Sequence, residues 1–288
     1  MAAVGTIYSG GWTLDDIPWS KFDASKVDPA LLAAAKAASL VEYNALNYVD
    51  YLKRVFAGAP QQTIDDMVRW GNEELQHGLA LGRWAEMADP TFRFDDAFRR
   101  FHQGYRPSHF DGEGGSVRGS RRGEMIARCV VESGTSSYYS AIREASAEPV
   151  LKEIAGRIAA DEFRHYKLFY ETLHAQDEPE LPFWKRLIVA AGRVNESDDD
   201  ELAFAYYCAN VPPDQAAAVP YERAKFARLY HEKAMVLYRR HHIRKLVQMV
   251  AKAVGANPQG RMTRWASSLL WHVLRLRAGT VVATAQTA

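Results

Sequence analysis

The sequence is poor in cysteine and has no long apolar run. Its two cysteines, Cys129 and Cys208, stand 79 residues apart in a chain of 288. That excludes a disulfide framework, a zinc finger and an iron–sulfur cluster held by this chain alone. No stretch of about 18 apolar residues occurs, so no membrane-spanning helix is expected. The opening Met-Ala-Ala-Val-Gly-Thr shows no basic segment followed by an apolar one. No signal peptide is therefore expected, and a soluble cytoplasmic protein is the expectation. Val, Ile and Thr do not gather in alternating runs, so no sheet is expected. Acid is scarce in one region. Residues 221–280 hold thirteen Lys and Arg against Glu222 and Glu232, a local charge of +11 within a net charge of +1. The rest of the chain therefore carries −10.

What is present is helical. Hydrophobic residues make up 48% and charged residues 25%, which suits a globular chain long enough to bury its own core. Residues 1–27 read as an irregular arm. Asp28-Pro29 opens a long helix, with Pro in its first turn, that runs to Phe56 and stops at Gly58-Ala59-Pro60. A second helix is expected over about 62–87, a third over 121–145 and a fourth over 150–175. Residues 88–120, rich in Gly, Pro and Asp, read as a long crossover. The chain divides into an arm (1–27), a four-helix core (28–180) and a C-terminal helical extension (181–288). The extension's basic part reads as two helices, about 221–254 and 261–277, split by Gly255-Ala256-Asn257-Pro258.

An internal repeat carries the chemistry. Glu73-Glu74-Leu75-Gln76-His77 is echoed 88 residues later by Asp161-Glu162-Phe163-Arg164-His165. On a helix, residues three apart share a face, so Glu74 and His77 reach one metal ion, as do Glu162 and His165. Carboxylate with imidazole suits iron or manganese, and zinc less distinctively. The preceding helix of each pair also bears a Glu, at 42 and 132. Glu42 and Glu74 have their midpoint at residue 58, inside one breaker; Glu132 and Glu162 have theirs at 147, inside the Ser146–Pro149 turn. In an antiparallel hairpin each pair is then level, roughly 20 Å from its turn. Side-by-side hairpins bring the six residues into one layer, the di-iron carboxylate arrangement of helical bundles. Four buried carboxylates are prohibitive without compensating charge, and two divalent cations balance them. Glu124 competes for the third-helix position but lies too far from the turn to match Glu162.

These motifs resemble the ferritin-like superfamily, and within it the soluble acyl-carrier-protein desaturases. Trp70-Gly71-Asn72-Glu73-Glu74-Leu75-Gln76-His77-Gly78 is similar to that family's Glu-Glu-x-x-His-Gly signature, and Asp161–His165 to its Asp-Glu-x-Arg-His signature. The resemblance covers about residues 30–175. Gln76 stands where the family usually has Arg, and the basic C-terminal third has no counterpart in the resemblance. The resemblance implies an all-α four-helix bundle holding two iron ions, with dioxygen as co-substrate and an external, ferredoxin-type electron donor. It implies oxidation of an unactivated C–H bond of an acyl chain, as a desaturase or hydroxylase. It also implies a homodimer. Thr135, one turn after Glu132, corresponds to a Thr that helps deliver a proton near the oxygen-binding face; locally it reads as a hydroxyl bonded to the preceding turn. Asp161 and Glu73 are candidates to orient an imidazole from outside the ligand set.

Other residues read as structural. Tyr138, Tyr139, Trp70 and Cys129 read as core, and Arg164 as an ion-pair partner. His102 and His109 read as exposed. His241-His242 has no carboxylate near it in sequence, which argues against a second metal site. The basic C-terminal third suits docking of an acidic acyl carrier protein; an anionic membrane surface or a nucleic acid fits less well. The last helix, with Trp265, Leu269, Trp271 and Leu274 among arginines, suits either a packed or an interfacial helix. Rival activities are N-oxygenation or hydroxylation of a non-lipid substrate, iron handling or peroxide scavenging, and tRNA hydroxylation.

Overall fold

Helix signals recur along the chain, and the computed structural model, which describes residues 11–105, 107, 115–195 and 200–285, is all-α. Among these residues there are eleven α-helices and no strand. They are Pro29–Tyr43 (α1), Ala45–Val55 (α2), Gln61–Ala88 (α3), Phe94–Gly104 (α4), Arg121–Ala145 (α5), Pro149–His174 (α6), Phe183–Asn195 (α7), Asp200–Asn210 (α8), Arg223–Met235 (α9), Arg240–Ala253 (α10) and Arg261–Ala285 (α11).

The helices start and stop where side chains satisfy their free ends. Asp28 accepts from the N–H groups of Ala30 and Leu31 ahead of α1, a cap of the usual kind. Glu148 does the same for α6 through Val150 and Leu151. Its carboxylate also accepts the Trp84 indole N–H at 2.7 Å, which ties the α5–α6 turn to α3. After α2, Gly58 takes a φ of 81°, which a side chain would resist.

Two antiparallel pairs form the frame: α1–α2 against α3, and α5 against α6, with α3 also packed on α6. Small residues set the first contact. A Cβ at Gly78 would lie 2.7 Å from the Tyr43 backbone nitrogen, and one at Gly71 would lie 2.2 Å from a Val49 methyl. Glycine at these positions lets α1 and α2 approach the residues of α3 that surround His77. Further helices pack outside: α8 on α1, and α7 and α10 on α5.

Four sequence expectations are corrected. Residues 11–27 are not irregular; they form three short 3-10 turns that bury Trp12 and Ile17 against the core. The helix from 28 to 56 breaks at Asn44, two residues past Glu42. Asn44 is buried and donates to Glu201 Oε1 at 3.2 Å, while Asn47 donates to its oxygen at 2.6 Å. Asn side chains that bond in this way compete with the helix. The crossover contains α4, whose Phe94, Ala97 and Phe101 are buried. The stretch 221–254 divides at residues 236–239 into α9 and α10, where His242 Nδ1 accepts the Arg239 N–H and starts a new helix.

Candidate metal centre

The mirror spacing of the four glutamates about their turns makes them level, and they meet. Glu42, Glu74, His77 and Glu162 each offer one donor atom within 4.8 Å of the others. Glu74, Glu132, Glu162 and His165 do the same. Glu74 and Glu162 belong to both groups, so the six residues make two overlapping donor sets. Glu74, His77, Glu132, Glu162 and His165 are buried, and Glu42 is half-buried.

Both imidazoles turn the same nitrogen inward. His77 Nδ1 lies 3.0 Å from Glu74 Oε2 and 3.3 Å from Glu162 Oε1, and His165 Nδ1 lies 3.1 Å from Glu74 Oε1. Their Nε2 atoms point outward to other carboxylates: His77 to Asp161 at 3.0 Å, and His165 to Glu73 at 2.8 Å. An ionised carboxylate only accepts, so each Nε2 carries a proton there; once a cation replaces the Nδ1 proton, the neutral ring presents its Nδ1 lone pair to the donor set. Asp161 and Glu73 thus occupy the orienting positions expected of them, with a swap. Asp161 lies on the same helix as His165 but holds His77, and Glu73 lies beside the His77 motif but holds His165. Asp161 is fixed in turn by the Trp12 indole at 2.8 Å and by Arg164. Arg164 also reaches Glu73 at 3.4 Å, as a bridge between the two outer carboxylates.

The charges conflict without a cation. Burial, then the charges of Glu74 and Glu162, push the Glu42 carboxyl well above the usual carboxylate range. Burial and the Glu162 charge do the same to Glu132. Burial works against charge on His77, yet hydrogen bonds to Asp161, Glu162 and Glu74 hold it well above its ordinary value. His165 is raised likewise, against burial, by Glu74, Glu132 and Glu73. Glu74 is held low, against burial, by the two imidazoles. Protons here stand in for missing positive charge.

In this layer both oxygens of Glu132, Oε1 of Glu162 and Nδ1 of His165 make no well-formed hydrogen bond and face only one another and Glu74 and His77, with His165 Nδ1 3.7 Å from Glu132. All four are donor atoms of the same layer. Orphans of this kind are costly in a protein interior, and hard cations with oxygen and imidazole ligands would satisfy them. The residues present fit a pair of metal ions.

No family model and no curated protein matches the chain.

Thr135 Oγ1 donates to Glu162 Oε2 at 2.5 Å and lies farther from the Val131 and Glu132 carbonyls, at 3.3 and 3.4 Å. Its hydroxyl is therefore directed at the donor layer more than at its own helix. Tyr139, expected as plain core, is buried and donates to Glu42 Oε1. Beside Thr135, a Cβ at Gly134 would meet nothing within 4 Å. Val131, Gly134 and Thr135 are half-buried, as is Glu42, so one edge of the layer is open to approach.

Glu124 stands outside both groups, as its distance from the turn implies. It accepts from Tyr51 and Ser116, each at 2.8 Å. Cys129 is buried, Trp70 packs edge-on against Phe169, and His102 is exposed. His109 lies outside the described residues. The tie from Trp12 to Asp161 had no signal in the sequence. Gln76 adds a second tie, donating to the Trp12 carbonyl at 3.0 Å.

His241-His242 gains from the fold a carboxylate that is not near it in sequence. Glu144, from the end of α5, lies 2.9 Å from His241 Nε2 and 3.0 Å from His242 Nε2. The trio could hold a metal ion by proximity. Its atoms are already engaged, however. Arg239 pairs with the other Glu144 oxygen at 2.9 Å. His242 Nδ1 accepts a backbone N–H, so its Nε2 carries the proton toward Glu144.

Proposed function

We propose that the chain is a ferritin-like di-iron protein and a dioxygen-dependent oxidoreductase. It acts on an unactivated C–H bond of an acyl chain presented on a carrier, as a desaturase or hydroxylase.

 The observation that carries this reading is the pair of overlapping donor sets sharing Glu74 and Glu162, with both imidazoles held by outer carboxylates so that Nδ1 faces inward. This is the donor set of carboxylate-bridged di-iron bundles: a Glu from each of two helices and Glu-x-x-His from each of the other two.

Glu42, Glu74 and His77 with Glu162 would hold one ion, and Glu132 and His165 with the shared pair would hold the other; iron, or iron with manganese, suits these donors. The metal pair, when bound, supplies reductive activation of dioxygen, with electrons from an external donor of the ferredoxin type. The protein's own residues do the rest. Asp161 and Glu73 accept the Nε2 protons and would keep each Nδ1 aimed at the metal position. Tyr139 steadies the half-buried Glu42 by donating to Oε1. Thr135 holds a proton at Oγ1, directed at Glu162 Oε2, on the edge left open by Gly134. That open edge favours an oxidase of a bound substrate over an iron store.

The test is metal content and the visible spectrum of protein from iron-replete cells. About two iron per chain, with absorption that bleaches on reduction and returns in air, is the expected result. A stable fold with little or no metal overturns the reading. Incubation of the reduced protein with carrier-bound acyl chains then distinguishes desaturation from hydroxylation by product mass.

A further inference from the structure

Two helices outside the metal centre present apolar side chains to solvent. On α7, Phe183, Trp184, Leu187, Ile188 and Val194 are exposed, Trp184 by 58%. On α11, Met262, Trp265, Leu269, Val273 and Leu276 are exposed, Met262 by 83% and Trp265 by 69%. At about 100° per residue, the α11 set falls within an arc of about 80°. Arg261, Arg264 and Arg275, all exposed, lie along one side of that arc, while Thr263 and Ser267 turn into the protein. The Arg186 guanidinium of α7 lies against Gly255, in the turn that leads from α10 into α11. Arg244, Lys245 and Lys252 of α10 are exposed between Arg239 and that turn.

We infer that α7 and α11 form a docking face for an anionic membrane surface. Scattered exposed apolar residues are ordinary, but periodic rows on two helices beside a region of charge +11 are not. The apolar row enters the acyl boundary, and the arginines beside it meet lipid phosphates. The charge selects this occupant. A two-fold contact with a second copy lays a patch on itself, which sets Arg261, Arg264 and Arg275 near their own copies. A nucleic acid satisfies the cations but leaves Met262, Trp265 and Leu269 in water. Among the described residues no helix is long and apolar enough to cross a membrane, so the contact lies in the interface plane. The inference is independent of the metal centre.

The experiment is flotation of the full chain with vesicles of phosphatidylcholine alone and of phosphatidylcholine mixed with phosphatidylglycerol, at low and high salt. The expected result is binding at least about tenfold stronger to the mixed vesicles, weakened by salt, with a blue shift of tryptophan emission. Paired replacement M262S/W265S should abolish binding, and R261Q/R264Q/R275Q should abolish the preference for anionic lipid. Both sets are exposed, and far-UV circular dichroism checks that the fold is kept. Equal binding to both vesicles, or none to either, overturns the inference. So does a dimer in solution that M262S/W265S dissociates, which assigns the face to a second copy. RNA binding that survives M262S/W265S, without vesicle binding, assigns the cations to nucleic acid.

Discussion

Among the described residues two clusters of glutamate and histidine use their polar atoms in opposite ways. In the interior, Glu132, Glu162 and His165 have buried oxygens and a ring nitrogen that make no well-formed hydrogen bond and face only other donors of the same layer. At the end of α5, Glu144 divides its two oxygens between Arg239 and the pair His241 and His242. The interior group has more negative charge than its imidazoles can balance. The outer group is matched by a guanidinium and is largely exposed, with His241 64% accessible. Donor types alone therefore do not distinguish a metal site from an ion-pair latch. Burial of more lone pairs than the neighbouring protons can meet is what favours a cation in the interior group.

Replacing one of the shared donors should break this contrast most severely. Glu162→Ala removes an oxygen ligand from both donor sets, as Glu74→Ala does. Bound metal should fall from about two ions per chain toward none, and turnover by more than the roughly 100-fold upper end seen for outer partners. Glu144→Ala should leave metal content unchanged by elemental analysis. If the two variants behave alike, the contrast fails.

Acidity tests the same contrast through stability. Glu42 and Glu132 are raised in the fold, and so are His77 and His165. A raised group stabilises fully below its unfolded value, and that contribution is lost as pH rises through the folded one. Glu74 and Asp161 are held low, so their contribution is lost only as pH falls below the ordinary carboxylate range. Above about pH 5, metal-free protein should therefore lose stability as pH rises. Divalent metal at about 100 times its Kd should add about 2.7 kcal/mol, on the order of 5 °C in Tm. Calorimetry across pH, with and without metal, measures both. Metal affinity should itself rise with pH, because binding displaces protons.

The outer carboxylates give a smaller effect that sharpens the comparison. Asp161→Asn and Glu73→Gln should each weaken metal binding about 10- to 100-fold by titration, with the fold retained. The smallest effect belongs to the surface group. Glu144→Gln should cost about 0.5–1 kcal/mol in denaturant unfolding, with or without metal.

Much of this was legible because it depends on local spacing. Asp28-Pro29 marks the start of α1, and the expected starts near 121 and 150 fall within a residue of where α5 and α6 begin. The repeat of Glu-x-x-His, together with equal distances from the turns, places six residues in one layer before any packing is known. The breaks were less legible. Asn44 interrupts its helix because Glu201, from α8, accepts its amide. The turn after α9 ends where a histidine three residues ahead caps α10. Glu144 was overlooked beside His241-His242 because 97 residues separate it from the first of them.

The sequence by itself determined the periodicities: helical segments, their caps, the donors at i and i+3, and the asymmetry of charge. These follow from backbone hydrogen bonding and residue order over a few turns. Tertiary structure alone decided which carboxylate serves which imidazole, so that Asp161 orients His77 and Glu73 orients His165. It also decided that Trp12 of the arm locks Asp161, and that the apolar rows of α7 and α11 face solvent. The reason is that hydrogen-bond partners and burial depend on which helix faces come together, and chain order does not specify the contact between residues a hundred positions apart.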